Sequence, residues 1–236
     1  MRKIFVDKIA EDNVLTGADH AHVSVVLRAR VGDKLTLCDG DGYDYHYEIS
    51  GIDSKSTRLK FLDKTPVETE PKTKVDLFVA LLKADKLEWV SQKCTELGID
   101  EINPFMSEYV QVKKESVKTE RLNKICKEAA QQCGRGKVPT LNEPISFKDM
   151  LAKLSGYDNV LFLYEKGGTK LSEGIKVKGG SSAIIIGSEG GFSDKEAEQL
   201  EQSGVMPISL GKRILRAETA CVTAVSLVMY EMEELI

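Results

Sequence analysis

No apolar run in this sequence approaches the length of a membrane span. The basic residues at its start, in MRKIFVDKIAEDN, meet acidic ones before any run of signal-peptide length. A cytosolic protein without membrane contact is the expectation. Cysteine is scarce and badly spaced for a framework: Cys38, Cys94, Cys126, Cys133 and Cys221 are an odd number, and no two form a C-x-x-C pair. Neither a disulfide scaffold nor a zinc site is indicated. Histidine is limited to His20, His22 and His46. His20 and His22 have no third ligand nearby, so they read as a surface pair and no metal is expected.

The common nucleotide fingerprints are missing too. GSEGGF, Gly187 to Phe192, lacks the G-x-G-x-x-G spacing and comes late in the chain, and GSEGGFSDK has no lysine directly after a second glycine as a P-loop requires. A serine-hydrolase elbow would place Ser188 in G-x-S-x-G, but the residue two before it is Ile186, and the histidines lie upstream instead of downstream. A hydrolase is thus a weak alternative.

What is present is a chain of 236 residues, 42% hydrophobic and 30% charged, enough for one sizeable core and a smaller one. The net charge of -4 argues against a surface that grips nucleic acid everywhere. The charge is uneven, however. Residues 71–140 carry 13 basic and 10 acidic side chains, whereas both flanking segments are net acidic. KKESVKTERLNKICKEAAQQCGRGK, Lys113 to Lys137, holds 8 basic and 3 acidic residues and reads as one long helix, suited either to a phosphate backbone or simply to solvent.

Two textures divide the chain. In residues 1–70, short segments such as KLTLC, YDYHYEIS and TRLKFLD alternate with turn clusters at the spacing of a small β-barrel, interrupted by one helix-like segment, HAHVSVVLRA. TPVETEPKTK follows as a natural linker. From 74 to 236 the pattern is α/β. VDLFVALL, IDEINPF, NVLFLYE, SAIIIG and VMPISLG are nearly continuous apolar strands, as parallel strands covered on both faces should be. In KADKLEWVSQKCTELG, Leu87, Val90, Cys94 and Leu97 recur at helical spacing, and Gly98 stands where a C-terminal cap belongs.

Ligands of open parallel sheets bind at the carboxyl ends of the strands. Three strand ends here carry unusual loops: LFLYEKGG, IIIGSEGGFS and ISLGKRILRAETA. Their glycines permit close approach of a ligand to the backbone, and Ser193 or Asp194 followed by Glu196 announces a capped helix just beyond.

GSEGG together with LGKRILRAETA resembles the paired signature of SPOUT-class RNA methyltransferases, and specifically the RsmE-type family, which methylates uridine N3 of small-subunit ribosomal RNA with S-adenosylmethionine as donor. VLRARVGDKLTLCDGDG, KADKLEWVSQKCTELGI and EAAQQCGR resemble further segments of that family, so the likeness spans most of the chain. One departure is Ser188, where the family usually has proline. The resemblance implies an α/β fold: a C-terminal SPOUT-type parallel sheet with a trefoil knot, preceded by a small PUA-like β-barrel that supplies RNA affinity, with Arg28 and Arg30 beside its turn. It places the adenosyl group against Leu163, Tyr164 and Glu165, against Gly187, Ser188, Glu189, Gly190 and Gly191, and against Leu210, Gly211, Ile214 and Leu215. It also implies a homodimer whose target pocket is shared between protomers. AETACVTAVSLVMY, 217–230, is apolar enough for such an interface or equally for an internal core.

That reaction must stabilise negative charge as the N3 proton leaves, a task suited to a guanidinium. Arg216 is the first candidate and Arg135 the second. Glu189 or Glu218 would act as base or orient an arginine. The other outcome consistent with these motifs is an RNA-binding module that keeps the fold without the chemistry.

Overall fold

The computed structural model describes Lys3 to Leu235; Met1, Arg2 and Ile236, at the outer ends of the two expected domains, lie outside the described residues. The chain divides into two compact units, Met1–Glu70 with Ala130–Val138, and Pro71–Ala129 with Pro139–Ile236.

In the first unit, β1 (Lys3–Phe5), β2 (Val14–Thr16), β3 (Lys34–Cys38), β4 (Tyr43–Ile52) and β5 (Ser56–Pro66) form one sheet in the order β1-β3-β4-β5-β2. β1 runs parallel to β3 and the other pairs are antiparallel. The register of β4 against β5 slips between His46 and Tyr47 and again between Ile49 and Gly51, which bends these long strands into a half-barrel. Ile4, Leu35, Leu37, Tyr47, Ile49 and Leu59 fill its concave side. The helix-like segment is displaced from its expected position: α1 (Gly17–Ala21) starts earlier, and His22–Val26 continue it as a wider π-helical turn that ends at Arg28, whose φ is 50°. Residues 130–138 join this unit through Ala130, which packs with Phe5 and Cys38, and through Gly134, whose carbonyl accepts from Lys3 Nζ at 2.8 Å.

The second unit is built on β6 (Val75–Ala80), β7 (Glu101–Met106), β8 (Thr140–Leu141), β9 (Ile145–Ser146), β10 (Asn159–Leu163), β11 (Thr169–Lys170), β12 (Ser182–Ile186) and β13 (Pro207–Ser209). They form a parallel sheet in the order β11-β13-β10-β12-β6-β7-β8, with β9 also pairing β7. Every residue of β6 and of β12 is buried, so their unbroken apolar runs reflect cover on both faces. The helices are α2 (Ala84–Glu96), α3 (Thr119–Cys133), α4 (Phe147–Lys153), α5 (Leu171–Gly174), α6 (Asp194–Gln202) and α7 (Ala217–Glu231). α2 buries Leu87, Val90 and Cys94, and Gly98 takes a φ of 96° just past its end, which a side chain would resist. The long basic helix expected over 113–137 is shorter: a 3-10 turn at Lys114–Ser116 and an extended Val117 precede α3.

After β12 the chain passes through α6, crosses β10 to reach β13 on its far side, and returns in α7 to pack on α2, β6 and β12. Such a doubling back is what a threaded C-terminal segment needs. The start of α6 is fixed by the expected capping box, Ser193 with Glu196. The buried Glu196 carboxylate also accepts from Ser107 Oγ at 3.0 Å and from the Glu108 N–H at 2.9 Å, tying the loop after β7 to α6.

Candidate functional site

The carboxyl ends of β10, β12 and β13 surround a cavity of about 400 Å³ within the second unit. Its walls are the loops at Leu163–Glu165, Gly187–Gly191 and Ile208–Ala217, closed by Lys86 from α2 and Ala220 from α7. Each of the cofactor-contacting positions expected from sequence lies on these walls: Leu163, Tyr164, Glu165, Gly187, Ser188, Glu189, Gly190, Gly191, Leu210, Gly211, Ile214 and Leu215. Parallel strands deliver them together because all the strand ends point the same way.

The glycine loop is a tight turn closed by the Gly191 N–H donating to the Ser188 carbonyl at 2.9 Å. Gly191 has a φ of 72°, and a Cβ placed there would stand 2.5 Å from Glu165 Oε1. Ser188, the departure noted in the glycine loop, turns its hydroxyl inward: Oγ accepts from the Gly190 N–H at 3.3 Å and donates to the Gly191 carbonyl at 3.4 Å. The serine therefore staples the turn by hydrogen bonding where a pyrrolidine would stiffen it covalently.

Glu189 lines the cavity and pairs with Lys86 at 3.1 Å. The same ammonium stands 3.4 Å from Glu218 Oε2, a buried oxygen that makes no hydrogen bond among the described residues. Burial pushes the Glu189 carboxyl up, but the N–H of its own backbone and the Lys86 ammonium outweigh that and hold it below the ordinary carboxylate value. The Lys86 ammonium is in turn pushed up, chiefly by Glu189. Lys86 was not singled out from sequence. It belongs to the first turn of a helix whose apolar spacing identifies its buried face but not which lysine reaches a loop far along the chain.

The two arginine candidates have different surroundings. Arg216 lines the cavity at the residue preceding α7; its carbonyl accepts from the Ala220 N–H at 2.8 Å, while its exposed guanidinium has no partner among the described residues. Arg135 is not on the cavity wall. It is buried in the first unit and held by Glu70 through Nε at 3.2 Å and NH2 at 2.8 Å. The same carboxylate accepts from the Gly136 and Lys137 N–H groups. A guanidinium engaged in this way anchors its own loop.

The model of the RNA methyltransferase domain matches residues 69–229, and that of the RNA methyltransferase PUA domain matches residues 15–62. The chain is 34% identical over 230 residues to ribosomal RNA small subunit methyltransferase E of Bacillus subtilis, covering 93% of this chain and 90% of that protein. It is also 34% identical over 226 residues to the protein of the same name from Mesomycoplasma hyopneumoniae, covering 94% and 96%. A crystal structure of a ribosomal RNA small subunit methyltransferase E from Neisseria gonorrhoeae, bound to S-adenosyl methionine, matches with a TM-score of 0.88 at 25% identity, over 98% of this chain and 97% of that one. The glycine loop, the returning C-terminal segment and these matches together place the chain in the RsmE-type family of SPOUT RNA methyltransferases.

Proposed function

We propose that this protein transfers a methyl group from S-adenosylmethionine to N3 of a uridine in small-subunit ribosomal RNA. The observation that carries the reading is a glycine-walled cavity at the strand ends with the exposed Arg216 on its wall.

The residues present fit the donor. Gly187, Gly190 and Gly191 leave the wall without side chains, and the carboxylate of Glu189 offers an anionic neighbour to a cationic group. The loops at Leu163–Glu165, Gly187–Gly191 and Leu210–Leu215 would hold the adenosyl moiety. When bound, S-adenosylmethionine supplies a methyl already activated on a sulfonium. Lys86 fixes Glu189 and, through Glu218, the start of α7, so both sides of the cavity keep their spacing. Arg216 offers fixed N–H donors to the uridine oxygens as the N3 proton leaves. Of the two carboxylates considered as base, Glu189 and Glu218, only Glu189 lines the cavity, and a carboxyl held below its ordinary value is a weak proton acceptor. Most of the assistance to proton loss therefore falls to Arg216, which lowers the cost of the anion itself.

The PUA-like unit supplies RNA affinity in this reading, with Arg28 and Arg30 exposed beside their turn. Homodimerisation is supported by Trp89 of α2 and Leu227 and Tyr230 of α7, exposed apolar groups on two helices that pack together. Sedimentation should give a species of twice 26.1 kDa; a fully active monomer at micromolar concentration would overturn the dimer. No described helix is long and apolar enough to cross a membrane, and a ribosomal RNA substrate supports a cytoplasmic location. The deciding experiment incubates the protein with labelled S-adenosylmethionine and either free small-subunit RNA or the assembled subunit, then maps the modified nucleoside. N3-methyluridine is expected. RNA binding without any transfer would favour the inactive binding module.

A further inference from the structure

A second cavity, of about 370 Å³, is lined by Ala84, Leu87 and Glu88 of α2 and by residues that precede and begin α3. On a helix, Lys86 projects away from residues 84 and 88, so the two cavities flank opposite sides of the same turn. The volume falls within the ~300–1,000 Å³ of small-ligand sites. Leu82, Leu87, Val112, Val117 and Leu122 make its walls apolar.

Its rim is not apolar. Arg121 contributes a guanidinium that is 63% exposed yet held by Glu88, through Nε at 2.6 Å and NH2 at 3.0 Å. A bidentate pair uses one edge of the guanidinium and fixes its plane, leaving the faces available. Lys118 also lines the cavity, and Lys113 and Lys114 are exposed just before it, beside Glu115 and Glu120, while the exposed Lys124 lies 3.9 Å from Glu128. Because Glu88 already neutralises Arg121, the lysines supply the field and the arginine supplies a flat surface. Unpaired bases stack on such planes, while ammonium groups meet the phosphates on either side. A purely aliphatic ligand would make no use of these cations.

We propose that this second cavity receives an unstacked nucleobase flanking the methylation target and so helps to set where on the RNA the protein sits. The proposal rests on the RNA methyltransferase reading above.

The test uses the full chain and a target RNA carrying a fluorescent purine analogue at successive positions around the methylated uridine. Val117→Trp should fill the slot and Arg121→Ala should remove the platform. Both should raise the KM for RNA roughly tenfold, the scale of one stacked base, while kcat at saturating RNA and affinity for S-adenosylmethionine stay within about twofold. Arg121→Lys should not rescue, because an ammonium offers no plane. At one flanking position the analogue should report binding to the unmutated protein and fall silent with Val117→Trp. If the unmutated protein neither binds nor methylates RNA, the functional reading fails and this proposal with it. If it does both, while the variants keep the same KM and no flanking position responds, this proposal alone is overturned.

Discussion

The ammonium of Lys86 lies 3.1 Å from the carboxylate of Glu189, joining the first turn of α2 to the glycine loop after β12. Replacing Lys86 by Met frees that loop and leaves Glu189 and Glu218 without their shared cation. Donor affinity should fall on the order of tenfold, as when a charged hydrogen bond is removed. The pH dependence has a defined sign. Glu189 has a folded-state pKa below its ordinary 4.5, so its contribution is present above that value and is lost as pH falls through the folded one. Donor binding by the unmutated protein should thus hold down to about pH 4.5 and fail below it. In Lys86→Met burial acts unopposed by the ammonium, and the failure should move to higher pH. Calorimetric titration across that range checks both points; unchanged affinity and an unmoved midpoint would remove Lys86 from the site.

Arg216→Ala should lower the methylation rate on the order of a hundredfold while leaving the affinities for donor and RNA nearly intact. Arg216→Lys should recover only part of the loss, because it restores charge without the fork. A clamp on the loop would behave differently, with stability and donor binding falling in parallel with rate. Single-turnover kinetics and a thermal melt on the same variant separate the two roles.

Arg135→Ala should act on stability. Removing it leaves the Glu70 carboxylate without its buried partner, a loss of about 3–5 kcal/mol where both groups are fully buried and less here because Glu70 is 25% exposed. Denaturant titration should show the loss. Turnover per folded molecule should stay close to that of the unmutated protein, and a large drop in kcat without destabilisation would restore a catalytic role.

Gly191→Ala forces a side chain into left-handed backbone beside Glu165, at a strain of about 1–2 kcal/mol. Gly190→Ala also meets a neighbour, Tyr109 Cβ at 2.9 Å, but carries no positive φ. Both substitutions should weaken donor binding, and only the first should carry the backbone penalty. Comparing the two melting temperatures tests the assignment.

The fold was legible where burial itself writes a pattern. Unbroken apolar runs identified β6 and β12, helical spacing identified α2, and a serine followed by glutamate identified the cap of α6. The cavity walls were legible because their loops follow recognisable strands and carry distinctive glycines. Charged side chains were harder, since their partners are chosen by the tertiary structure. Lys86 meets Glu189 across the sheet's end, and Arg135 meets Glu70, 65 positions away in sequence. Residues 130–138, which read as the end of a basic helix, belong to the first unit because Ala130 packs with Phe5 and Cys38. Helix periodicity contains no information about such a transfer between cores.

The return of the chain from β13 into α7 also orders events during biosynthesis. Translation delivers Leu163–Glu165 first, then the glycine loop, and only afterwards the segment Ile208–Ala217 that forms the opposite wall. Domains fold as units, so until that last segment has been made the chain carries the residues of only half the pocket. The two walls of the cavity are thus separated in the time of their synthesis as well as in sequence.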